Sequence, residues 1–430
     1  YALRPAFDTI AEMIGKGKKV PDSLLKVFSE NPEYSAKLDS LINAKNKVPL
    51  KIFDKKNAEK LFGENLNISA SQLEKFNLCR FSYFCNYGLN VRERLKAEIN
   101  PMQYGTLVHY LLERFFSEYS KEQYSSMSDD ELFEIVNTYL LEYSVSYFGE
   151  EQTKSNSFKY RLKTILDNVI YLMKHIMLEL SQSEFFVADC ELKIGEDIPS
   201  YTIALPDGHK IAVCGSVDRV DIMQRNGVTY LRVIDYKTGT KQFKLSDILY
   251  GINLQMLLYL HSIESSDSDK YGKVTPAGIL YMPATVPYIS ADSLKSIEKL
   301  PDELNKNLKM NGLLLKDTEI IHGMDKTDAA TYIPVKIKAG EPVSATSLAT
   351  LEEFGKIFKK VDMLIAEMGK NIYDGNIEAK PLKGGHDSCE YCPYDSVCAY
   401  RQSSPINCFS VDNKAVIEEI TNEINGKEEK

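Results

Sequence analysis

Two aspartates and a lysine stand where a β-hairpin would bring them together. The run Cys214-Gly215-Ser216-Val217-Asp218-Arg219-Val220-Asp221 precedes Asn226-Gly227, and Val233-Ile234-Asp235-Tyr236-Lys237 comes after it. Asn-Gly between two β-rich runs is the strongest short-range hairpin signal. With these two as the turn, Arg225 faces Val228, Asp218 faces Asp235 and Ser216 faces Lys237. Directly opposed side chains share a face, with Cβ atoms ~4.5–5.5 Å apart. Two carboxylates so placed repel, and a divalent cation between them turns repulsion into coordination. Mg2+ suits this, because it takes one or two protein carboxylates and completes its shell with water and phosphate. Strand period puts Lys237 on the face of Asp235. An ammonium there can orient an attacking water, help deprotonate it, or stabilise charge on a phosphate. Asp221 falls on the opposite face and reads as an ordinary strand residue. The plainer alternative is a surface hairpin with alternating polar residues.

Other groups extend this set. His109 follows Gly105 by four residues and precedes Glu113 by four, so all three share a helix face. Gln255 and Tyr259 share a face one turn apart. Each alone is compatible with ordinary packing. The eight cysteines are unevenly spread: Cys79 and Cys85, Cys190 and Cys214, then Cys389, Cys392, Cys398 and Cys408. That is too sparse for a disulfide scaffold. One isolated Cys about 310 residues before Cys-x2-Cys-x5-Cys suits a cubane cluster on four thiolates better than zinc, which usually takes two short knuckles. Cys190 and Cys214 read as buried core thiols and Cys408 as incidental.

The elements that must position these groups are legible from periodicity. Helices are expected over 105–116, 129–148, 157–181, 246–262 and 348–371, and strands near 185–194, 200–205, 210–223, 228–237 and 277–282. Pro206-Asp207-Gly208 marks a further turn. Ser69 or Ser71 caps a helix ahead of Cys79. Six lysines between Ala44 and Lys60 face only Asp54 and Glu59, a solvated face or a DNA-backbone contact.

The chain has 430 residues, 61 acidic and 52 basic, for a net charge of −9. The acidic balance disfavours a nucleic-acid partner only weakly, since the local field at a site decides. Hydrophobic residues make up 43%, which excludes wholesale disorder. No apolar run reaches the ~20 residues of a membrane span. No Gly-x4-Gly-Lys-Ser/Thr occurs, and Gly15-Lys16-Gly17-Lys18 lacks its frame, so no ATPase is expected within these residues. The chain starts at Tyr1 without Met and reads as a piece of something larger.

Together the residues resemble RecB-family nucleases of the PD-(D/E)xK superfamily. That pattern is a Gly-x-x-x-His helix, a Gly-x-x-Asp strand, an Asp-Tyr-Lys strand and a Gln-x-x-x-Tyr helix. Here it reads Gly105…His109, Gly215…Asp218, Asp235-Tyr236-Lys237 and Gln255…Tyr259. The cysteines, Leu231–Gly239 and Leu254–Leu260 also resemble the AddB subunits of AddAB-type helicase–nucleases, over residues 66–402. The resemblance implies an α/β restriction-endonuclease-like core, a mixed central sheet flanked by helices, with helical insertions and an iron–sulfur cluster. It implies a Mg2+-dependent DNA exonuclease that processes the 5′-ended strand at double-strand breaks. His109, Asp218, Asp235 and the Tyr236 carbonyl would hold the metal, Lys237 would be the catalytic lysine, and Gln255 and Tyr259 would support the site or the DNA. Glu191 matches a recurrent family acid. Cys79, Cys389, Cys392 and Cys398 would hold a 4Fe-4S cluster, although Arg80 stands where the family often has Pro. DNA and an AddA-type subunit, in a heterodimer, would be the partners, in the bacterial cytoplasm. Residues 1–65 would end a helicase-like region, 66–405 form the nuclease, and 406–430 an acidic mobile tail. A stand-alone iron–sulfur exonuclease and a silent DNA-binding scaffold are the alternatives. The 65-residue preface and the insertions between 263 and 347 argue against the first, and the intact acids and lysine against the second.

Overall fold

The computed structural model describes residues 2–15, 18–45, 51–92, 101–149, 155–239, 242–266, 268–286, 300–327, 330–344, 346–398, 400 and 405–428. Residues 46–50 of the lysine-rich stretch, Lys16, Gly17, part of the 263–347 insertion and the last two residues lie outside these. The chain divides into two compact units, 1–51 and 52–430. In the first, α1 (Leu3–Gly15), α2 (Asp22–Ser29) and α3 (Ser35–Lys45) enclose Phe7, Ile10, Phe28, Tyr34 and Leu38.

The larger unit begins earlier than the expected boundary at 66. Helix α4 (Lys55–Phe62) buries Ala58, the Phe62 ring stacks on Tyr83 at 5.8 Å, and the Ile52 N–H donates to the Gly375 carbonyl at 2.8 Å. These contacts bind residues 52–65 to the body of the larger unit. Strand β1 (Leu66–Ile68) leads to α5 (Ala70–Leu78), where Ser69 and Gln72 form a reciprocal capping box. Helices α6 (Pro101–Glu118), α7 (Asp129–Phe148) and α8 (Asn156–Ser181) come next.

The main sheet has six strands. In spatial order they are β9 (Leu348–Ala349), β8 (Asn311–Leu315), β7 (Val274–Pro283), β6 (Val228–Lys237), β5 (Gly215–Arg225) and β2 (Phe186–Ile194). The β2–β5, β5–β6 and β7–β8 pairs are antiparallel, and β6–β7 and β8–β9 parallel. A parallel pair needs a crossover, and α9 (Gln255–Glu264) supplies the one between β6 and β7, packing on both. Residues 277–282 of β7 are all buried, as an apolar run in a strand covered on both faces should be. Strands β3 (Thr202–Ala204) and β4 (Lys210–Val213) form a second sheet with β1. The mixed α/β class expected from sequence is what the chain adopts.

Three expectations need correction. The strand read over 210–223 is two, split at Cys214 and assigned to different sheets. The helix read over 246–262 is a 3₁₀ turn (Leu245–Tyr250) and then α9, because Gly251 and Asn253 take φ of +70° and +57° and interrupt it. The tail is ordered: after β10 (Leu382–Gly384) and β11 (Ile406–Cys408), residues Asn413–Glu428 form α11. Its Val416 and Ile420, one turn apart, are fully buried, and it packs along α10 (Leu351–Tyr373). That apolar stripe outweighs the acidic composition. Among the described residues no helix is long and apolar enough to cross a membrane.

Candidate active site

The hairpin forms in the expected register. Its pairs run from Arg225↔Val228 to Arg219↔Ile234, and Asp218 and Asp235 lie one step beyond. On the other side of β5, the pairs Cys190↔Arg219 and Leu192↔Val217 bracket Glu191 and Asp218. Three carboxylates, Glu191, Asp218 and Asp235, therefore form one row across three adjacent strands. Ser216 does not meet Lys237 as its register position suggested; its hydroxyl donates to Glu191 Oε2 at 2.6 Å.

His109, on α6, closes over this row. Its Nδ1 lies 3.4 Å from Asp218 Oδ2 and 3.8 Å from Glu191 Oε1, and its Nε2–H donates to the Tyr236 carbonyl at 2.9 Å. Gly105 brings α6 close to β6: a Cβ there would sit 3.4 Å from Thr238 Oγ1. Ligand atoms of His109, Glu191 and Asp218 lie within 4.8 Å of one another. Burial and then the Asp235 charge push the Asp218 carboxyl up to about 7, even though the Tyr236 N–H donates to its Oδ2 at 2.8 Å. Burial alone would lower His109, but Glu191 and Asp218 raise it to about 9. Asp235 is 2% exposed; its Oδ2 pairs with the Lys237 ammonium without an aligned hydrogen bond. This concentration of negative charge is what a hard divalent cation relieves. Two carboxylates, one imidazole and a backbone carbonyl fit Mg2+ or Mn2+. Lys237 is partly exposed in the open cleft that His109, Glu191, Thr238 and Gly239 also line.

Glu191 holds its place with a left-handed backbone, φ +49°. A non-glycine residue there costs about 1–2 kcal/mol. Glu191→Gly is therefore expected to be about 1 kcal/mol more stable than Glu191→Ala. Thermal melts of the two variants give the comparison; the reverse order would mean a regular strand at this residue.

Helix α9 lies over the row. Tyr259 sits so close to Gly215 that a Cβ on Gly215 would lie 2.4 Å from the phenol oxygen. That close approach gives the Gly-x-x-Asp strand and the Gln-x-x-x-Tyr helix a shared physical reason. Burial and then the Asp218 and Asp235 charges push the Tyr259 phenol up. Half-buried Gln255 opens the same helix. Helix α5 sets where α9 starts: Glu74 Oε1 accepts the Leu254 N–H at 2.9 Å, and Asn77 Nδ2 donates to the Gly251 carbonyl at 3.0 Å.

Behind the sheet lies a group that sequence reading passed over. Asp221 is fully buried, bonded by Arg219 Nε and Nη2, both at 2.7 Å, and by Arg232 Nε at 2.9 Å. Glu179 from α8 completes the quartet, 3.0 Å from Arg219 and 2.6 Å from Arg232. Two full positive and two full negative charges thus lock α8 to β5 and β6. Asp221's off-face position was legible; its partners were not.

The cysteines converge. Helix α5 ends at Cys79, whose sulfur accepts the Ser82 and Phe81 N–H groups; burial pushes this thiol up, those amides pull it down, and Cys398 and Cys392 raise it further. Burial, then Cys392 and Cys389, raises Cys398, against the Tyr400 amide. Cys85 is buried beside the same group, raised by burial and then by Cys398, Cys392 and Cys79, without a backbone donor. All these thiols are free of disulfides. The Tyr394 hydroxyl donates to the Val91 carbonyl at 2.7 Å, tying the loop to the Cys79 region. Amide donors to sulfur favour a thiolate, so the donor set fits an iron–sulfur cluster. Cys408 instead packs with Ile252 and Leu382. Cys190 and Cys214 are half-buried rather than core thiols.

Comparison with known proteins agrees with this geometry. The chain is 34% identical over 416 residues to an ATP-dependent helicase/deoxyribonuclease subunit of Clostridium kluyveri, covering 93% of this chain and 36% of that protein. It is 31% identical over 409 residues to the protein of the same name from Clostridium acetobutylicum, covering 90% and 35%. With that of Thermoanaerobacter pseudethanolicus it shares 33% over 376 residues, covering 85% and 32%. The chain thus spans about a third of the length of these curated relatives. The family model of the PD-(D/E)XK nuclease superfamily matches residues 67–399. With its row of acids, its lysine and this match over most of its length, the chain belongs to the PD-(D/E)XK nuclease superfamily.

Proposed function

We propose that this chain is the nuclease part of a bacterial helicase–nuclease subunit, a Mg2+-dependent DNA exonuclease that trims double-strand breaks for recombinational repair. The observation that carries this is the meeting of His109, Glu191, Asp218, Asp235 and Lys237 in one open cleft. His109, Asp218, Asp235 and the Tyr236 carbonyl would hold the metal, with Glu191 as a further ligand. When bound, the divalent cation polarises the scissile phosphodiester and screens its charge. Lys237, held by Asp235, orients the attacking water and steadies charge on the phosphate. Tyr259 and Gln255 brace the strand that carries Asp218 and face the DNA. The name borne by the relatives supports DNA as substrate and a second, AddA-type subunit as partner in the cytoplasm. The test is incubation of the purified chain with linear DNA. Mg2+ or Mn2+ should support degradation and a chelator should stop it. DNA binding with no cleavage under any divalent cation would point to a silent scaffold instead.

In the same proposal Cys79, Cys389, Cys392 and Cys398 hold a 4Fe-4S cluster. It staples α5 to the 382–408 loop, and both ends grip the turn ahead of α9. Besides the α5 contacts, the Phe409 N–H donates to the Tyr250 hydroxyl at 3.1 Å, and His386 Nε2 lies 3.4 Å from Asp247 Oδ2. Closing a loop of this length removes unfolded-state entropy, though only logarithmically with length. Cys79→Ala and Cys392→Ala should each lose bound iron, the broad absorption near ~400 nm expected of thiolate-ligated clusters, and several degrees of melting temperature. Anaerobic purification with iron and zinc analysis is the measurement; stoichiometric zinc without iron would overturn the assignment. Cys85→Ala should keep the iron.

A further inference from the structure

A stripe of tyrosines remains without a role. Tyr139, Tyr143 and Tyr147 follow one another at successive turns of α7, and the stripe emerges from the core to the surface. Tyr139 is 5% exposed and Tyr147 57%. The Tyr110 ring of α6, next in sequence to His109, lies 5.0 Å from that of Tyr143. The Tyr143 and Tyr147 rings are parallel within 7° at 5.5 Å. Tyr110 and Tyr143 line the same cleft as His109, Glu191 and Lys237. The rings thus form a file that starts beside the row of acids and ends in solvent.

The inner end is fixed. Arg114 donates to the Tyr110 hydroxyl at 3.0 Å and lies 3.9 Å over the Tyr139 ring. Glu118, at 2.9 Å, and Glu142 in turn hold Arg114. Helix α8 packs against α7, and its first turns expose Lys159, Tyr160, Arg161 and Lys163. Those side chains add three cations and a further ring on the helix that comes after the outer end.

We propose that Tyr110, Tyr143 and Tyr147 are a stacking path for the unpaired bases of a single DNA strand on its way to the cleft. This rests on the nuclease reading above and adds a binding site to it. Aromatic rings at successive steps suit single strands, because every base has a π-face and stacking is tolerant of sequence. A base pair inside a duplex presents only its edges, so the path selects unpaired ends. The cations at the start of α8 supply the phosphate attraction that rings lack. The parallel Tyr143–Tyr147 pair leaves an outer face on Tyr147 as the entry step.

The test uses the whole chain and a fluorescently labelled thymidine oligonucleotide, in Ca2+ to hold cleavage back. Tyr147→Leu and Tyr143→Leu should each weaken single-strand binding about tenfold, in line with ~1–3 kcal/mol per stacked base. Tyr147→Phe, which keeps the ring, should bind within about twofold of the unaltered chain, and a blunt duplex should bind all variants alike. In Mg2+ the Leu variants should raise KM for single strands more than they lower kcat. If the Leu variants bind and cut like the unaltered chain, the path is overturned while the nuclease reading stands. If Tyr147→Phe loses as much as Tyr147→Leu, stacking is not the interaction and the path is again overturned. If the unaltered chain neither binds nor cuts DNA with any divalent cation, both readings fall.

Discussion

Lys237→Ala and Asp235→Ala should each slow metal-dependent DNA cleavage at least about a hundredfold, the scale of losing one positioned catalytic group. The reasons differ. Lys237 supplies the only ammonium shown to meet the row of acids among the described residues, through its ion pair with Asp235. Removing it leaves the metal-binding atoms of His109, Glu191 and Asp218 in place. Asp235→Ala removes a proposed metal ligand and the anchor of Lys237 together. The two variants should therefore separate in binding. Lys237→Ala should take up Mn2+ much as the unaltered chain does, and Asp235→Ala should not. Single-turnover cleavage of end-labelled DNA, with Mn2+ titration followed by electron paramagnetic resonance, measures both. A Lys237→Ala variant that cuts at the unaltered rate would sink the mechanism.

The second large effect is on stability. Asp221→Asn should cost about 3–5 kcal/mol, because removing one partner of a buried ion pair leaves an uncompensated charge. Here two guanidiniums would face Glu179 alone. Replacing Glu179, Arg219, Asp221 and Arg232 together by apolar residues of similar volume should cost far less. The pH dependence has a fixed sign. Burial opposes ionisation of Asp221, but the Arg219 and Arg232 charges overcome it and hold the carboxyl below its ordinary range. Its contribution is complete above the unfolded value near ~4 and is lost as pH falls through the lower, folded value. Urea titrations at neutral pH and in acid should show the unaltered chain losing more stability on acidification than Asp221→Asn. Equal stability of the two at neutral pH would contradict the argument.

Much of this site was legible in the sequence because its rules are local. Asn226-Gly227 sets the hairpin register, and with it the opposition of Asp218 and Asp235. Helical period places His109 with Gly105, and Gln255 with Tyr259. The helices at 105–116, 129–148, 157–181 and 348–371 form within a few residues of expectation, since apolar spacing and caps such as Thr350 with Glu353 specify them. The misreadings also have local causes. Apolar periodicity runs on through 246–262 and 210–223, and only the left-handed Gly251 and Asn253 and the change of sheet at Cys214 break it.

What no local rule could supply was partnership between distant segments. Glu191 joins the row only because β2 pairs with β5 and Glu191 adopts a left-handed backbone. Asp221 is a buried ion only because Glu179, 42 positions earlier, packs beneath the sheet. Residues 52–65 belong to the larger unit because Phe62 finds Tyr83, and the last helix is ordered because Val416 and Ile420 find cover. The sequence by itself determined the carboxylate–lysine hairpin, the helix faces and the spacing of the cysteines, because backbone sterics and side-chain period act over a few residues. The tertiary structure alone decided which acids share a row, which charges are buried in compensation and which rings form a file beside the cleft, because burial of apolar surface sets those contacts between segments far apart in the chain.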